Sequence, residues 1–236
     1  MAAENPGWGH RRNHGELTRL GHKMATSTVW NILNQAGIDP APRRTGPTWR
    51  QLLAAQAKHI VTINLKRIHA LAMLEHGSRR AHLLGVTANP TGPWTTQAAR
   101  NFLPDTGMNI AGIKFLIRHR GGHFTDAYDA VCADAGQRVL KSPPPTPKAN
   151  AHCERFNGTL RRELLDRTLI LNERHLRPTL TRHLDHYNGH RRHRALSQLR
   201  PSQAEAGPPR PIDLAEHRVH RTAVLGGLIN EYQITS

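Results

Sequence analysis

The sequence predicts an α/β protein with a mixed central sheet, a small helical N-terminal segment and a basic C-terminal extension. Three observations lead there. From His59 onward, apolar runs of strand length alternate with amphipathic runs of helix length, in the order three strands, helix, strand, helix, strand, long helix. The stretch DPAPRRTGPT and the breaks at Pro208, Pro209 and Pro211 set this region apart from what flanks it. They suggest a helical upstream segment and linker over 1–45, which is a candidate DNA contact. A core region with its C-terminal helix follows over 46–206, and an extension with short strands over 207–236. The third observation is charge: in 236 residues, 33 Lys plus Arg stand against 17 Asp plus Glu, for a net +16. Arginine supplies most of the surplus, and its planar fork matches phosphate oxygens, so a nucleic acid is the partner this composition suits. Biased base composition, which raises Arg, Ala, Gly and Pro together, is the competing explanation.

The same inventory excludes other classes. Two cysteines, Cys132 and Cys153, make neither a disulfide framework nor a four-cysteine zinc site. No secretory signal and no apolar run of membrane-spanning length is visible. The expectation is a cytoplasmic, nucleoid-associated protein with no membrane partner.

In chain order, Asn5, Pro6, Gly7 and Gly9 mark a turn before a short polar helix bearing Arg11, Arg12 and His14. A second helix, capped by Thr26 or Ser27, runs through Val29, Trp30, Ile32 and Leu33 to Gly37. The pair reads equally as a small DNA-binding unit or as a plain helical hairpin. Trp49 to Ala57 reads as a brief helix. HIVTINL, RIHALAMLEHG and RRAHLLGVT read as buried strands, with a helical alternative for the middle one. TTQAARNFLPDTG is a helix capped near Thr95 or Thr96, KFLIRHRGG a strand running into a turn, and TDAYDAVCADAG an amphipathic helix. QRVLKSPP is a strand stopped by the prolines from Pro143 to Pro147. After Asn172 comes a helix through His175 to Tyr187, a basic segment NGHRRHRALSQLRP, and one or two strands around Gly226 and Gly227.

Between the proline run and that last helix lies KANAHCERFNGTLRRELL. Ala151, Phe156, Leu160, Leu164 and Leu165 fall close to helical spacing, with Arg155, Arg161 and Arg162 largely on other faces. One acid, Glu154, sits among them. Arginines over two turns suggest a phosphate-facing helix, but this stretch alone favours a solvated amphipathic helix whose Glu pairs with Arg.

Several of these stretches together resemble the integrase-core transposases of bacterial insertion sequences, relatives of retroviral integrases with an RNase H-like fold. NPGWGHRRNHGEL with STVWNILNQAGI resembles the region just upstream of that core. KFLIRHRGGHFT resembles the strand bearing the second catalytic Asp, PKANAHCERFNGTLRREL the helix bearing the catalytic Glu, and DHYNGHRRHRAL the closing basic segment. No upstream helix-turn-helix of the kind such transposases carry is expected. The resemblance implies an RNase H-like core for DNA integration or transposition, acting as a polynucleotidyl transferase. It further implies Mg²⁺ or Mn²⁺ as cofactor, DNA as substrate, and a second copy or an intact transposase as protein partner. Glu154 matches the third metal-binding acid, and the only metal ligand expected if any ion binds. Arg161 matches the family's basic DNA contact and Asn150 its asparagine before the Glu; Lys148, Arg155, Arg162 and Arg191 complete the expected DNA-binding set.

Two departures set this chain apart. His119 stands where the second Asp is expected, with 34 residues between it and Glu154, close to the family's spacing. Asn64 stands where the first is expected. Hard dications want carboxylate oxygens, and a site reduced from three acids to one carries roughly one negative charge at neutral pH. In addition, Asn64-Leu65-Lys66-Arg67 runs almost directly into IHALAML, leaving too little chain for a full hairpin. The expectation is therefore impaired catalysis, with a non-catalytic DNA-binding remnant that interferes with intact transposases as the alternative. Asp126 and Glu75 are the candidate replacement acids. The histidine pairs His119/His123, His186/His190 and His190/His193 have spacings that suit zinc, but solvent-facing or phosphate-contacting rings are favoured over a metal site. The Gly-Gly pairs at 121 and 226 are turns.

Overall fold

The computed structural model describes residues 1–5, 7–41, 67–105, 113–143, 151–204 and 218–235. HIVTINL with Asn64, the Trp49–Ala57 stretch, Lys148 and Asn150 lie outside the described residues, and so does most of the shortened connection. The chain divides into two compact units. A central unit comprises His59–Leu74 and Ala81–Thr181, and a terminal unit comprises Met1–Lys58, Glu75–Arg80 and Arg182–Ser236.

In the central unit, β1 (His69–Leu74) pairs antiparallel with β2 (Ala81–Thr87), with a register shift between Leu71 and Ala72. HALAML is thus a strand: Leu71 and Met73 are half-buried while Ala70 and Ala72 are exposed, the two-residue period of a strand with one covered face. Helix α3 (Gly92–Asp105) starts earlier than its sequence suggests. Thr91 is the cap, its hydroxyl accepting the Trp94 N–H at 3.3 Å. Thr95 and Thr96 lie buried inside the first turns, where their hydroxyls donate to the Thr91 and Gly92 carbonyls at 2.9 Å each. A threonine can satisfy its hydroxyl within a helix this way, so its presence alone does not mark a start. Pro93, in the first turn, lacks only an N–H that has no intrahelical partner there.

β3 (Phe115–Arg118) and β4 (Arg138–Lys141) pair in parallel, from Phe115↔Arg138 to Arg118↔Lys141, and α4 (Asp126–Asp134) connects them as a βαβ unit. Tyr128 and Cys132 of α4 and Ala99 of α3 form a buried cluster, against which Leu116, Phe124, Val131 and Val139 pack. Burial pushes the Cys132 thiol up to about 11, so it behaves as a small apolar group. The unit thus holds both an antiparallel and a parallel pair; one sheet joining them is not seen among the described residues. Helix α5 (Ala151–Leu160) packs against β1 and opens into a π turn, Arg161–Leu165, in which the Asp166 N–H reaches the Arg161 carbonyl at 2.8 Å. Helix α6 (Glu173–Gly189) follows.

The terminal unit begins with α1 (His10–Arg19) and α2 (Thr26–Gln35), packed together, with Leu20, Val29 and Leu33 buried. Ala25, not Thr26 or Ser27, occupies the cap position of α2, without a side-chain hydrogen bond. The connection before it is held instead by His14, whose Nε2 bonds the Met24 carbonyl at 2.9 Å. The end of α6 contributes His183, Leu184, His186 and Tyr187 to the buried interior. β5 (Arg218–Val224) and β6 (Ile229–Thr235) form an antiparallel hairpin, in register from Arg218↔Thr235 to Val224↔Ile229. The first residues of the chain lock onto this hairpin. Asn5 donates to the Tyr232 hydroxyl at 2.6 Å, Asn230 donates to Asn5 at 2.8 Å, and Tyr232 donates to Glu4 at 2.9 Å. No helix among the described residues is long and apolar enough to cross a membrane.

Candidate nucleic-acid interface

Helix α5 sorts its residues by face. Phe156, Thr159 and Leu160 are buried, as is Leu164 in the π turn, while Glu154, Arg155, Arg161 and Arg162 are exposed. The apolar spacing read from the sequence is the cause: one face is consumed by the core, and the charged residues take the remainder. Along regular helix, Arg161 lies two turns from Glu154 on the same side and Arg162 lies similarly below Arg155. Arg162 folds over Gly158 and donates to Thr159 Oγ1 at 3.4 Å, a contact that holds its guanidinium close to the helix. Cys153 is half-buried, and burial, aided by the Glu154 charge, raises its thiol above the ordinary value, so it is a protonated neighbour and no metal-binding thiolate.

His119 sits just beyond β3, in the turn that leads to α4. Its Nδ1 accepts the Gly121 N–H at 2.9 Å, so the proton of the neutral ring is on Nε2. A Cβ on residue 121 would run into the His119 ring, so glycine lets the ring lie this close over the backbone. His123 and Phe124 meet the His119 ring edge-on, with centroids 5.3 and 5.0 Å away. Burial, then the charges of His123 and Arg118, hold the His119 pKa below its ordinary value. With Nδ1 engaged and Nε2 protonated, the ring offers a hydrogen-bond donor and no lone pair to a cation. The neighbouring Arg118 turns inward and holds the Asp129 carboxylate through two hydrogen bonds, at 2.7 and 2.6 Å.

Neither candidate replacement acid belongs to a metal-holding group among the described residues. Asp126 is fully exposed on the first turn of α4, 3.8 Å from Lys141 Nζ, and Glu75 accepts the Ser78 hydroxyl in the β1–β2 turn. Among the described residues, no group of three or more His, Cys, Asp or Glu is arranged to hold a metal ion. The donor set of His119 and Glu154 therefore does not fit a pair of hard dications. His186 and His190 both turn to Glu231, and the His193 ring meets Tyr187 edge-on at 5.0 Å, so the histidine spacings serve packing and hydrogen bonding. Arg191, in the terminal unit, lays its guanidinium over the Tyr187 ring, 5.7 Å from the centroid.

What α5 and its π turn can do chemically is clamp anions. Arg155, Arg161 and Arg162 present exposed guanidiniums along one helical segment, each able to take phosphate oxygens bidentately. Sequence reasoning missed two features: the Arg118–Asp129 pair, signalled only by an arginine inside an apolar strand, and the role of Glu231, for which the sequence carries no local signal.

Residues 136–201 match the family model described as Integrase core domain, a span that holds β4, α5 with Glu154, the π turn, α6 and Arg191. His119 and Asn64 lie upstream of it. Among solved structures, one chain of the cryo-EM structure of the simian T-cell lymphotropic virus intasome in complex with PP2A regulatory subunit B56 gamma is similar at 14% identity. The alignment covers 95% of this chain and 86% of that one, with a TM-score of 0.45. No curated protein matches the chain.

Proposed function

We propose that this chain is a DNA-binding protein of the integrase and transposase kind whose metal-dependent strand transfer is impaired. The observation that carries the reading is the matched span itself. It includes the helix bearing Glu154, and that helix with its π turn displays Arg155, Arg161 and Arg162, while among the described residues no group of three or more His, Cys, Asp or Glu is arranged to hold a metal ion. Lys148 and Asn150 precede the helix in sequence and join the same contact, and Arg191 adds a second basic point. Arginines on an exposed helical face neutralise successive phosphates and release the counterions condensed on the duplex, which supplies affinity without base readout. Phosphoryl transfer by two Mg²⁺ or Mn²⁺ ions needs several hard ligands in one place. With Asn64 and His119 in the acid positions, that chemistry is lost before binding is. A protein that binds the same DNA without cutting it would act on intact transposases by occupying their ends, and a second copy is the other natural protein partner.

The test has two arms. Binding of the full chain to a labelled duplex is measured with and without chelator, and nicking of supercoiled DNA is measured with Mg²⁺ and with Mn²⁺. The expected result is binding indifferent to chelator and no nicking above background. Metal-dependent nicking abolished by Glu154→Gln would overturn the impairment, and loss of all duplex binding would overturn the reading as a whole. Restoring both acids with Asn64→Asp and His119→Asp separates a site lacking only its ligands, which then cuts, from one whose shortened connection also matters.

A further inference from the structure

In the terminal unit, one carboxylate sits between two imidazoles. His186, in the last turn of α6, and His190, just past its end, are four residues apart, their rings stacked at 6.0 Å and within 3° of parallel. Glu231, from the middle of β6, approaches both: His186 Nδ1 lies 2.9 Å from Oε1 and His190 Nε2 lies 3.2 Å from Oε2. An ionised carboxylate only accepts, so both nitrogens donate. The far side of His186 fixes its state further. Arg12 Nη2, from α1, lies 3.3 Å from His186 Nε2, and a guanidinium only donates, so that nitrogen must accept and carries no proton. The arrangement thus needs His186 neutral. A second proton on it would point at the Arg12 N–H groups.

His190 is placed similarly. Its Nδ1 is buried without a hydrogen-bond partner among the described residues, so protonation there would create a buried N–H with no acceptor, a cost that the pull of Glu231 on the new charge opposes. The surroundings add to that cost. Besides Glu231 and His186, the groups facing His190 are Arg19 of α1 and Arg200. Arg192 lies among Glu16, Arg19 and Arg200, and burial pushes it down to about 10. Arg12, Arg19, Arg192 and Arg200 therefore outnumber the carboxylates Glu16 and Glu231, and any added proton increases a standing cationic excess. Glu231 and His190 also line a cleft of about 370 Å³ with Arg182, Asp185 and the residues at the turn of the hairpin, so solvent protons reach them.

We propose that Glu231, clamped by neutral His186 and His190, is an acid-released latch that holds the β5–β6 hairpin against α6 and α1. Above the ordinary histidine range His190 is neutral, both rings donate to Glu231, and the hairpin is docked. As the pH falls, His190 takes up a proton on its partnerless buried Nδ1, and the undocked state, in which the ring is hydrated, gains population. The directions of the pKa shifts agree. Burial first, with the charges of Arg19 and Arg200 and against the pull of Glu231, holds His190 below its ordinary value. For Glu231, burial opposes ionisation, while the His186 hydrogen bond and the neighbouring cationic charge, Arg19 included, favour it, so the carboxyl stays below the usual range. A histidine held below its ordinary value stabilises the docked state fully above about pH 6.5, and that contribution is lost as the pH falls through the native value.

The test is hydrogen exchange by mass spectrometry on the full chain at pH 7.5 and pH 5.5, corrected for the pH dependence of intrinsic exchange. Peptides covering β6 report the latch, and peptides covering α4 and β4 serve as an internal reference. The expected result is that β6 loses about tenfold or more of its protection at the lower pH while the reference is unchanged, since each proton taken up on release contributes up to about tenfold per pH unit. In the double variant His186→Gln with His190→Gln, β6 should keep its protection to within about twofold, because an amide can donate to Glu231 and accept from Arg12 without titrating. Unchanged β6 protection in the parent chain, or an equal loss in the double variant, overturns the proposal. If the double variant does not dock at pH 7.5, His190→Gln alone decides: the loss of β6 protection at pH 5.5 shrinks if the latch is real, and an undiminished loss overturns it.

Discussion

Arg118 carries a guanidinium to a place where only 5% of its side chain is exposed, and the Asp129 carboxylate meets it there through two short hydrogen bonds. Lys141 adds a weaker contact to the same carboxylate at 3.3 Å. The Arg118 hydrogen bond, opposed by partial burial and aided by Lys141, holds the Asp129 carboxyl below the ordinary carboxylate range. Asp129→Asn removes the charge and leaves a buried guanidinium half-satisfied, so the central unit should lose about 3–5 kcal/mol in urea denaturation followed by circular dichroism. Because the native pKa is depressed, the stability Asp129 supplies is complete above about pH 4 and lost as the pH falls through the native value. An acid titration of the parent chain should therefore be steeper there than that of the variant. At this scale the sequence was partly legible. FLIR read as a strand and TDAYDA as a helix, but nothing local joined the arginine of one to the aspartate of the other.

At the scale of elements, β2 and α3 approach each other through a glycine. A Cβ on residue 85 would lie 2.7 Å from Trp94 Cζ2 and 3.7 Å from the Ala98 Cβ. Gly85→Ala should cost about 1–3 kcal/mol by forcing the indole out of its seat, with a matching drop in melting temperature. Helix α5 was read correctly from apolar spacing, since Phe156, Leu160 and Leu164 fall on one face in both sequence and structure. The π turn that follows was not legible, because it depends on which carbonyl the Asp166 N–H selects once Leu164 is seated in the core. The cap of α3 was misread for a comparable reason: Thr91, Thr95 and Thr96 are all good capping residues by type, and only the packing of the Gly92–Pro93 turn chooses among them. The candidate site divides in the same way. Glu154, Arg155, Arg161 and Arg162 could be placed on a helix by local pattern, whereas the state of His119 follows from a turn that presses its ring onto Gly121.

Over the whole molecule, the net +16 sets how the chain meets a polyanion. Duplex binding through backbone contacts weakens with salt at a logarithmic slope of about 0.9 per phosphate neutralised. If Arg155, Arg161 and Arg162 each hold one phosphate, replacing all three with glutamine should make that slope shallower by about 2.7, uniformly across duplex sequences, in fluorescence-anisotropy titrations from 50 to 200 mM salt. An unchanged slope would place the duplex elsewhere on the protein.

By itself the sequence determined the order of the described strands and helices from β1 to α6, the cationic surplus, and the position of Glu154 on an arginine-bearing helix, because these follow from composition and from patterns that repeat within two turns or one strand. The tertiary structure alone decided that Asn5 would meet Tyr232 and that His186 would share Glu231 with His190, since the partners lie 227 and 45 residues apart. A buried polar side chain takes whichever partner the fold brings within reach, and a partner that distant leaves no periodicity in the chain by which to find it.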